Sequence, residues 1–145
     1  MKRLALLGVA GWERPAWSEA FYPLDMPQEW RLSYYNTQFS CVFLAASVWR
    51  LADMATLAAW AEDTHENFLF LLEQAFPEAL PACLADRALG IGREDPSLLW
   101  FDRQTSLKTL AGHLAAGYTR LFLLSRDGDL GQIERVRTLI ELMGL

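Results

Sequence analysis

This chain has few of the residues that build metal centres and disulfide frameworks. Its 145 residues include two cysteines, Cys41 and Cys83, and two histidines, His65 and His113. Two distant cysteines give neither a disulfide framework nor the spacing of metal ligands, so we expect two reduced, buried thiols. Neither histidine has a nearby pattern of nucleophile or carboxylate that marks a triad or a metal site. We therefore predict no metal ion, no cofactor and no catalytic residue.

Basic residues and long apolar runs are also scarce. The 13 lysines and arginines are outnumbered by 18 acidic residues, and the formal net charge is -5. This balance disfavours nucleic acid or an anionic membrane as a partner. No apolar run approaches the ~18 residues of a transmembrane helix. The short run after Lys2 and Arg3 precedes Glu13 and Arg14 rather than a small-residue cleavage site, so we interpret it as a core strand and expect a cytoplasmic protein.

Apolar sequence is what the chain has in abundance. Hydrophobic residues make up 52% of it and charged residues 21%, so residues 1–145 are predicted to form one domain with a sizeable core. Five apolar runs are separated by helical patterns. They span residues 4–8, 42–46, 68–72, 98–101 and 121–124. Each is nearly continuous, which is typical of a parallel strand buried on both faces, and the order predicts an α/β fold of five parallel βα units.

Several of the intervening segments carry signals for helix ends. Pro27 suits the first position of the helix before the second strand. Asp53 is a candidate N-cap for the next helix, and Gly117 is placed to end the helix before the last strand. Residues 75–97 are predicted to form a short helix followed by a loop, 90–96, that leads into the fourth strand.

Short motifs in the first half of the chain resemble those of one family. Gly8-Val9-Ala10-Gly11-Trp12 is a glycine-rich turn after the first strand, Phe21-Tyr22-Pro23 follows it, and Trp49-Arg50-Leu51 follows the second strand. These motifs resemble the YecE-like family (domain of unknown function 72), most clearly over residues 4–73. The resemblance implies a shortened, divergent member with five βα units, an open or half-barrel relative of a TIM-type barrel. Its strand order would be 4-5-1-2-3.

The chain departs from the family pattern at polar positions. Val9 and Ala10 replace the Thr and Ser of the first turn, and Phe43 and Ala45 replace the Glu and Asn of the second strand. Glu73 stands where the family's third strand ends in Lys. Because the chemistry of a TIM-type barrel lies at the carboxyl ends of its strands, these replacements favour a protein that is not an enzyme.

Phe43 and Ala45 are two positions apart and therefore share one face of the second strand, which points inward in a barrel. An uncovered apolar face of roughly 500 Å² would be near the limit for a monomer. Helices on both faces of an open sheet would cover it, and so would a second copy. We favour the second copy. The prediction is a non-catalytic interaction protein that forms a homo-oligomer, or binds a protein partner, through Phe43 and Ala45.

The alternative function is binding of a small anionic ligand, or a hydrolase-like activity, at the carboxyl ends of the strands. Arginines placed there can hold a carboxylate or phosphate through paired hydrogen bonds. The competing explanation is that these charges pair with each other on a solvated rim, while the tryptophans belong to the core. The candidate ligand-binding residues are Trp12, Arg14, Trp49, Arg50, Glu73, Asp102, Arg103, Arg126 and Asp127.

Overall fold

Six parallel strands form one sheet, which curls into a half-barrel. The computed structural model describes residues 5–116 and 120–145. The strands are β1 (Ala5–Ala10), β2 (Cys41–Leu44), β3 (Leu69–Glu73), β4 (Ala88–Ile91), β5 (Leu98–Phe101) and β6 (Leu121–Ser125). Their order across the sheet is β4-β3-β2-β1-β6-β5, and each neighbouring pair is parallel.

The predicted α/β fold with a parallel sheet is confirmed, but the predicted number of five strands is wrong. The five predicted strands are present and lie in the predicted order. The additional strand, β4, lies inside the segment that was predicted as a helix and a loop, after a 3₁₀ helix at Ala82–Arg87. It extends the sheet beyond β3, with Phe70 opposite Ala88. Of the other predicted features, the start of the first strand at Leu4 and the helix end at Gly117 lie outside the described residues.

The two predicted helix starts, at Pro27 and Asp53, lie close to helix starts in the structure. They are α1 (Trp17–Ala20), α2 (Arg31–Gln38), α3 (Ala46–Trp49), α4 (Met54–Glu62), α5 (Leu107–Ala116) and α6 (Leu130–Leu142). Pro27 precedes a 3₁₀ turn at Gln28–Trp30 that continues into α2. The Asp53 carboxylate accepts a hydrogen bond from the Thr56 amide at 2.8 Å, so the predicted N-cap of α4 is confirmed.

The two faces of the sheet bury separate cores. On the outer face, strand residues such as Val42 and Phe70 pack against helix residues such as Leu110 and Val136. On the inner face, the strands alone supply the buried cluster. Its members are Cys41, Phe43, Leu71, Ile91, Leu98, Phe122 and Leu124, each 6% exposed or less. Because no helix covers that face within the described chain, the curl of the sheet itself removes these side chains from water.

The chain covers Phe43 without a second copy. Phe43 is 1% exposed, and the Trp100 ring meets it edge-on with the centroids 5.0 Å apart. The guanidinium of Arg93 lies over the same ring, 5.0 Å from its centroid. Ala45 is half-buried. Self-association through Phe43 and Ala45 stays a prediction. It was based on an apolar inner face that a single chain would leave uncovered, and Phe43 is not uncovered.

Candidate functional site

The candidate residues lie along the carboxyl edge of the half-barrel, in three groups. The first group follows β2 and β3 and contains Trp49, Arg50 and Glu73. The second group follows β1 and contains Trp12 and Arg14. The third group follows β5 and β6 and contains Asp102, Arg103, Arg126 and Asp127. Parallel strands bring these segments to one edge of the sheet, where the second and third groups touch through the hydrogen bond from Arg14 to the Arg126 carbonyl.

Glu73 is the centre of the first group. One of its carboxylate oxygens accepts a hydrogen bond from the Ala46 amide at 3.0 Å, at the start of α3. The other accepts from the Nε of Arg93 at 2.9 Å. The hydrogen bond from Arg93 is the main reason that the pKa of Glu73 lies below its ordinary value. Trp49 completes this network, since its ring N–H donates to the Glu73 carbonyl at 2.9 Å.

Arg93 also lies at this edge, although the sequence analysis did not single it out. It lies in the loop between β4 and β5. Its carbonyl accepts a hydrogen bond from the Trp100 ring N–H at 2.9 Å, and its guanidinium lies 5.7 Å from the centroid of the Trp100 indole. With no strand predicted at residues 88–91, nothing in the sequence placed Arg93 at a strand end.

In the first group, Arg50 is engaged with two neighbours. Its guanidinium forms an ion pair with Glu78 and lies over the Trp49 ring, 5.4 Å from the centroid. Trp49 itself is buried. Arg50 therefore joins the segment after β2 to the segment after β3.

The second group connects the carboxyl ends of β1 and β6. Arg14 donates to the Ala10 carbonyl at 3.0 Å and to the Arg126 carbonyl at 3.3 Å, so it ties the ends of the two strands together. Burial lowers the pKa of its guanidinium. Trp12 is buried and meets Trp60 edge-on, with the ring centroids 5.3 Å apart.

The third group surrounds an open groove of about 700 Å³. Arg126 pairs with Asp102 at 3.2 Å, and Asp127 accepts a hydrogen bond from the backbone amide of Arg103 at 3.0 Å. Two arginines and three aspartates, the third being Asp129, line the groove. The excess of carboxylates makes this groove a poor site for an anion.

A smaller cavity, which we call the mouth pocket, opens where β1 and β2 end. Its volume is about 220 Å³. Three of the replaced family positions, Ala10, Phe43 and Ala45, line it, and Arg93 and Glu13 lie at its rim. Glu13 is paired with Arg31 at 3.0 Å. The pocket can hold an apolar group, but its lining supplies no nucleophile and no unpaired carboxylate for acid–base chemistry.

Large apolar side chains are exposed at the same edge. Val48 (47% exposed), Leu51 (83%) and Met54 (83%) follow β2, and Phe76 (69%) follows β3. We call these four residues the apolar rim. The Arg50–Glu78 ion pair joins the two segments that carry them.

Comparison with known proteins gives one match. Residues 6–75 match the family described as Protein of unknown function DUF72. The match spans β1 to β3, just under half of the chain, and supports membership of the DUF72 family. No curated protein and no solved structure matches the chain.

The described residues contain neither a cluster of metal-ligating side chains nor a membrane-spanning helix. Within residues 5–116 and 120–145, no three histidine, cysteine, aspartate or glutamate side chains come together as metal ligands would. Over the same residues, none of the helices is both long and apolar enough to cross a membrane.

Proposed function

We propose that this chain is a non-catalytic interaction protein, a shortened and divergent YecE-like relative of the TIM-type barrels, that self-associates through its carboxyl edge. The observation that carries the proposal is the contrast between side chains at that edge. Glu73, Arg50 and Asp102 are each engaged in an ion pair. The apolar rim, in contrast, is exposed.

The contacts at this edge favour binding over catalysis. Both oxygens of Glu73 already accept hydrogen bonds, and Arg14 is committed to two backbone carbonyls. A general acid or base needs a proton-transfer atom that can reach a substrate. The two oxygens of the Glu73 carboxylate are instead used to fix α3 and the β4–β5 loop.

The size of the apolar rim indicates a weak complex. Four exposed side chains of this kind present roughly 400 Å² of apolar surface, near the largest patch usual for a monomer. Two copies would bury about 800 Å² of it, less than the ~1,200 Å² at which stable interfaces begin. We therefore expect a reversible dimer at micromolar concentration rather than a permanent one.

The test compares two exposed positions of the rim with one exposed position elsewhere. The double variant Leu51→Asp/Phe76→Asp places like charges in the expected interface, so light scattering should show a monomer where the wild type shows a dimer. The control is Leu142→Asp, because Leu142 is 80% exposed but ends α6, which runs back to the opposite edge of the sheet. It should dimerise as the wild type does.

Two results would overturn the proposal. One is a wild type that stays monomeric as its concentration is raised through the micromolar range. The other is a double variant that dimerises as strongly as Leu142→Asp, since that would place any interface away from the apolar rim.

A further inference from the structure

The mouth pocket combines an apolar interior with one well-positioned cation. We propose that it binds a small organic carboxylate, with the carboxylate on Arg93 and the apolar part against Phe43 and Trp12. This site adjoins the self-association surface, since Val48 belongs to both, but the two rim positions chosen for substitution, Leu51 and Phe76, do not line the pocket.

Arg93 is held in place by its backbone and by one side-chain nitrogen. Its carbonyl accepts from Trp100, its Nε donates to Glu73 at 2.9 Å, and its guanidinium lies over Phe43. Among the residues that the structure describes, none accepts a hydrogen bond from its two terminal NH₂ groups. A planar guanidinium with those two groups open matches the geometry of a carboxylate that accepts two parallel hydrogen bonds.

The walls and the volume of the pocket define the rest of the ligand. Ala10, Phe43, Ala45 and Val48 offer no side-chain hydrogen-bonding group, so the part of the ligand that lies against them must be apolar. The volume of about 220 Å³ is below the roughly 300–1,000 Å³ of drug-sized sites. A short aliphatic chain or a single ring fits these limits.

Two carboxylates near the pocket limit the expected affinity of the pocket for the ligand. Glu73 offsets part of the charge of Arg93, and Glu13, which also lines the pocket, is itself offset by Arg31. The ligand gains no large excess of positive charge, so we expect a dissociation constant in the millimolar range for a minimal ligand.

The experiment titrates benzoate into the whole chain and follows tryptophan fluorescence and binding heat, with benzamide as the uncharged analogue. Arg93→Gln should weaken benzoate binding by about tenfold or more. The matched control is Arg126→Gln, because Arg126 also pairs with a carboxylate and lies over Trp100, 5.9 Å away, but lines the other groove. Its affinity for benzoate should equal that of the wild type.

A second variant keeps the test independent of any effect of Arg93 on folding. Ala45→Leu fills the pocket from another wall and should also weaken binding, whereas the rim variant Leu51→Asp/Phe76→Asp should bind benzoate normally. The proposal is overturned if the wild type binds no benzoate at millimolar concentration, if benzamide binds equally well, or if the two arginine variants behave alike. None of these results depends on whether the chain dimerises.

Discussion

At the scale of single residues, the Tyr35 hydroxyl bridges two neighbouring strands. It accepts a hydrogen bond from the Val9 amide at 2.9 Å and donates one to the Cys41 carbonyl at 2.7 Å. Val9 belongs to β1 and Cys41 to β2, so one side chain from α2 links the helix layer to the centre of the sheet. Burial raises the pKa of Tyr35 well above its ordinary value, which keeps the hydroxyl proton available for this bridge.

Removing that hydroxyl should be costly. Tyr35→Phe leaves the buried Val9 amide and Cys41 carbonyl without their partner, and we expect the free energy of unfolding to fall by about 1–3 kcal/mol. Urea unfolding would measure it. The neighbouring Tyr34→Phe is the control, because the Tyr34 hydroxyl donates no hydrogen bond within the described residues. Similar losses in both variants would show that the bridge contributes little.

Glu73 gives a second residue-level prediction, in the pH dependence of stability. Its pKa is lowered in the folded chain, first by Arg93, so its stabilising effect is present above the ordinary carboxyl pKa and is lost as the pH falls through the folded-state value. Near neutral pH, denaturant unfolding should give the wild type a free energy of unfolding higher than that of Glu73→Gln by about 1 kcal/mol or less. At acid pH the difference should vanish.

The control for that experiment is Glu94→Gln, in the same loop as Arg93. Glu94 has no hydrogen-bond or ion-pair partner among the described residues. Its stability difference from the wild type should be small at both pH values. A gap between wild type and Glu73→Gln that persists or widens in acid would contradict the assigned role of the carboxylate.

At the scale of elements, the strands differ in how well the sequence marks them. Five strands were predictable because each is a nearly continuous apolar run, such as Leu121–Ser125. β4 was not, because Ala88–Ile91 contains only two large apolar side chains and a glycine, and it follows a proline-containing segment. It is a strand because its backbone pairs with β3, and such pairing between distant segments leaves little local signal. The position of Arg93 could not be predicted for the same reason.

The pairing of β1 with β2 supports a prediction about two glycines. A Cβ on Gly8 would overlap the Cys41 carbonyl oxygen, so Gly8→Ala must push the strands apart and should lower the free energy of unfolding by about 1–3 kcal/mol. Gly112 lies inside α5 with nothing within 4 Å of its Cβ direction. Gly112→Ala should raise stability by about 0.5–1 kcal/mol because alanine favours the helix. Thermal or urea unfolding that ranks the two variants in the reverse order would refute this account of the sheet.

At the scale of the whole molecule, the curled sheet buries its inner core within one chain and leaves the exposed edge as the surface for binding. The inner core is complete within one chain, since its seven central side chains all come from the strands and are buried. The family resemblance correctly indicated a half-barrel, but residue types alone could not show that Trp100 and Arg93 cover Phe43. The apolar rim lies outside the barrel mouth, in the short segments after β2 and β3. Any partner is therefore expected to meet the rim of the fold rather than its interior.

Sedimentation velocity of the wild type over a dilution series through the micromolar range tests this account most directly. We expect the sedimentation coefficient to rise from that of a monomer toward that of a dimer as concentration increases. The rise should be absent in Leu51→Asp/Phe76→Asp. A single monomeric species at every concentration, or a dimer that the double variant leaves intact, would contradict the claim that the carboxyl edge is a self-association surface.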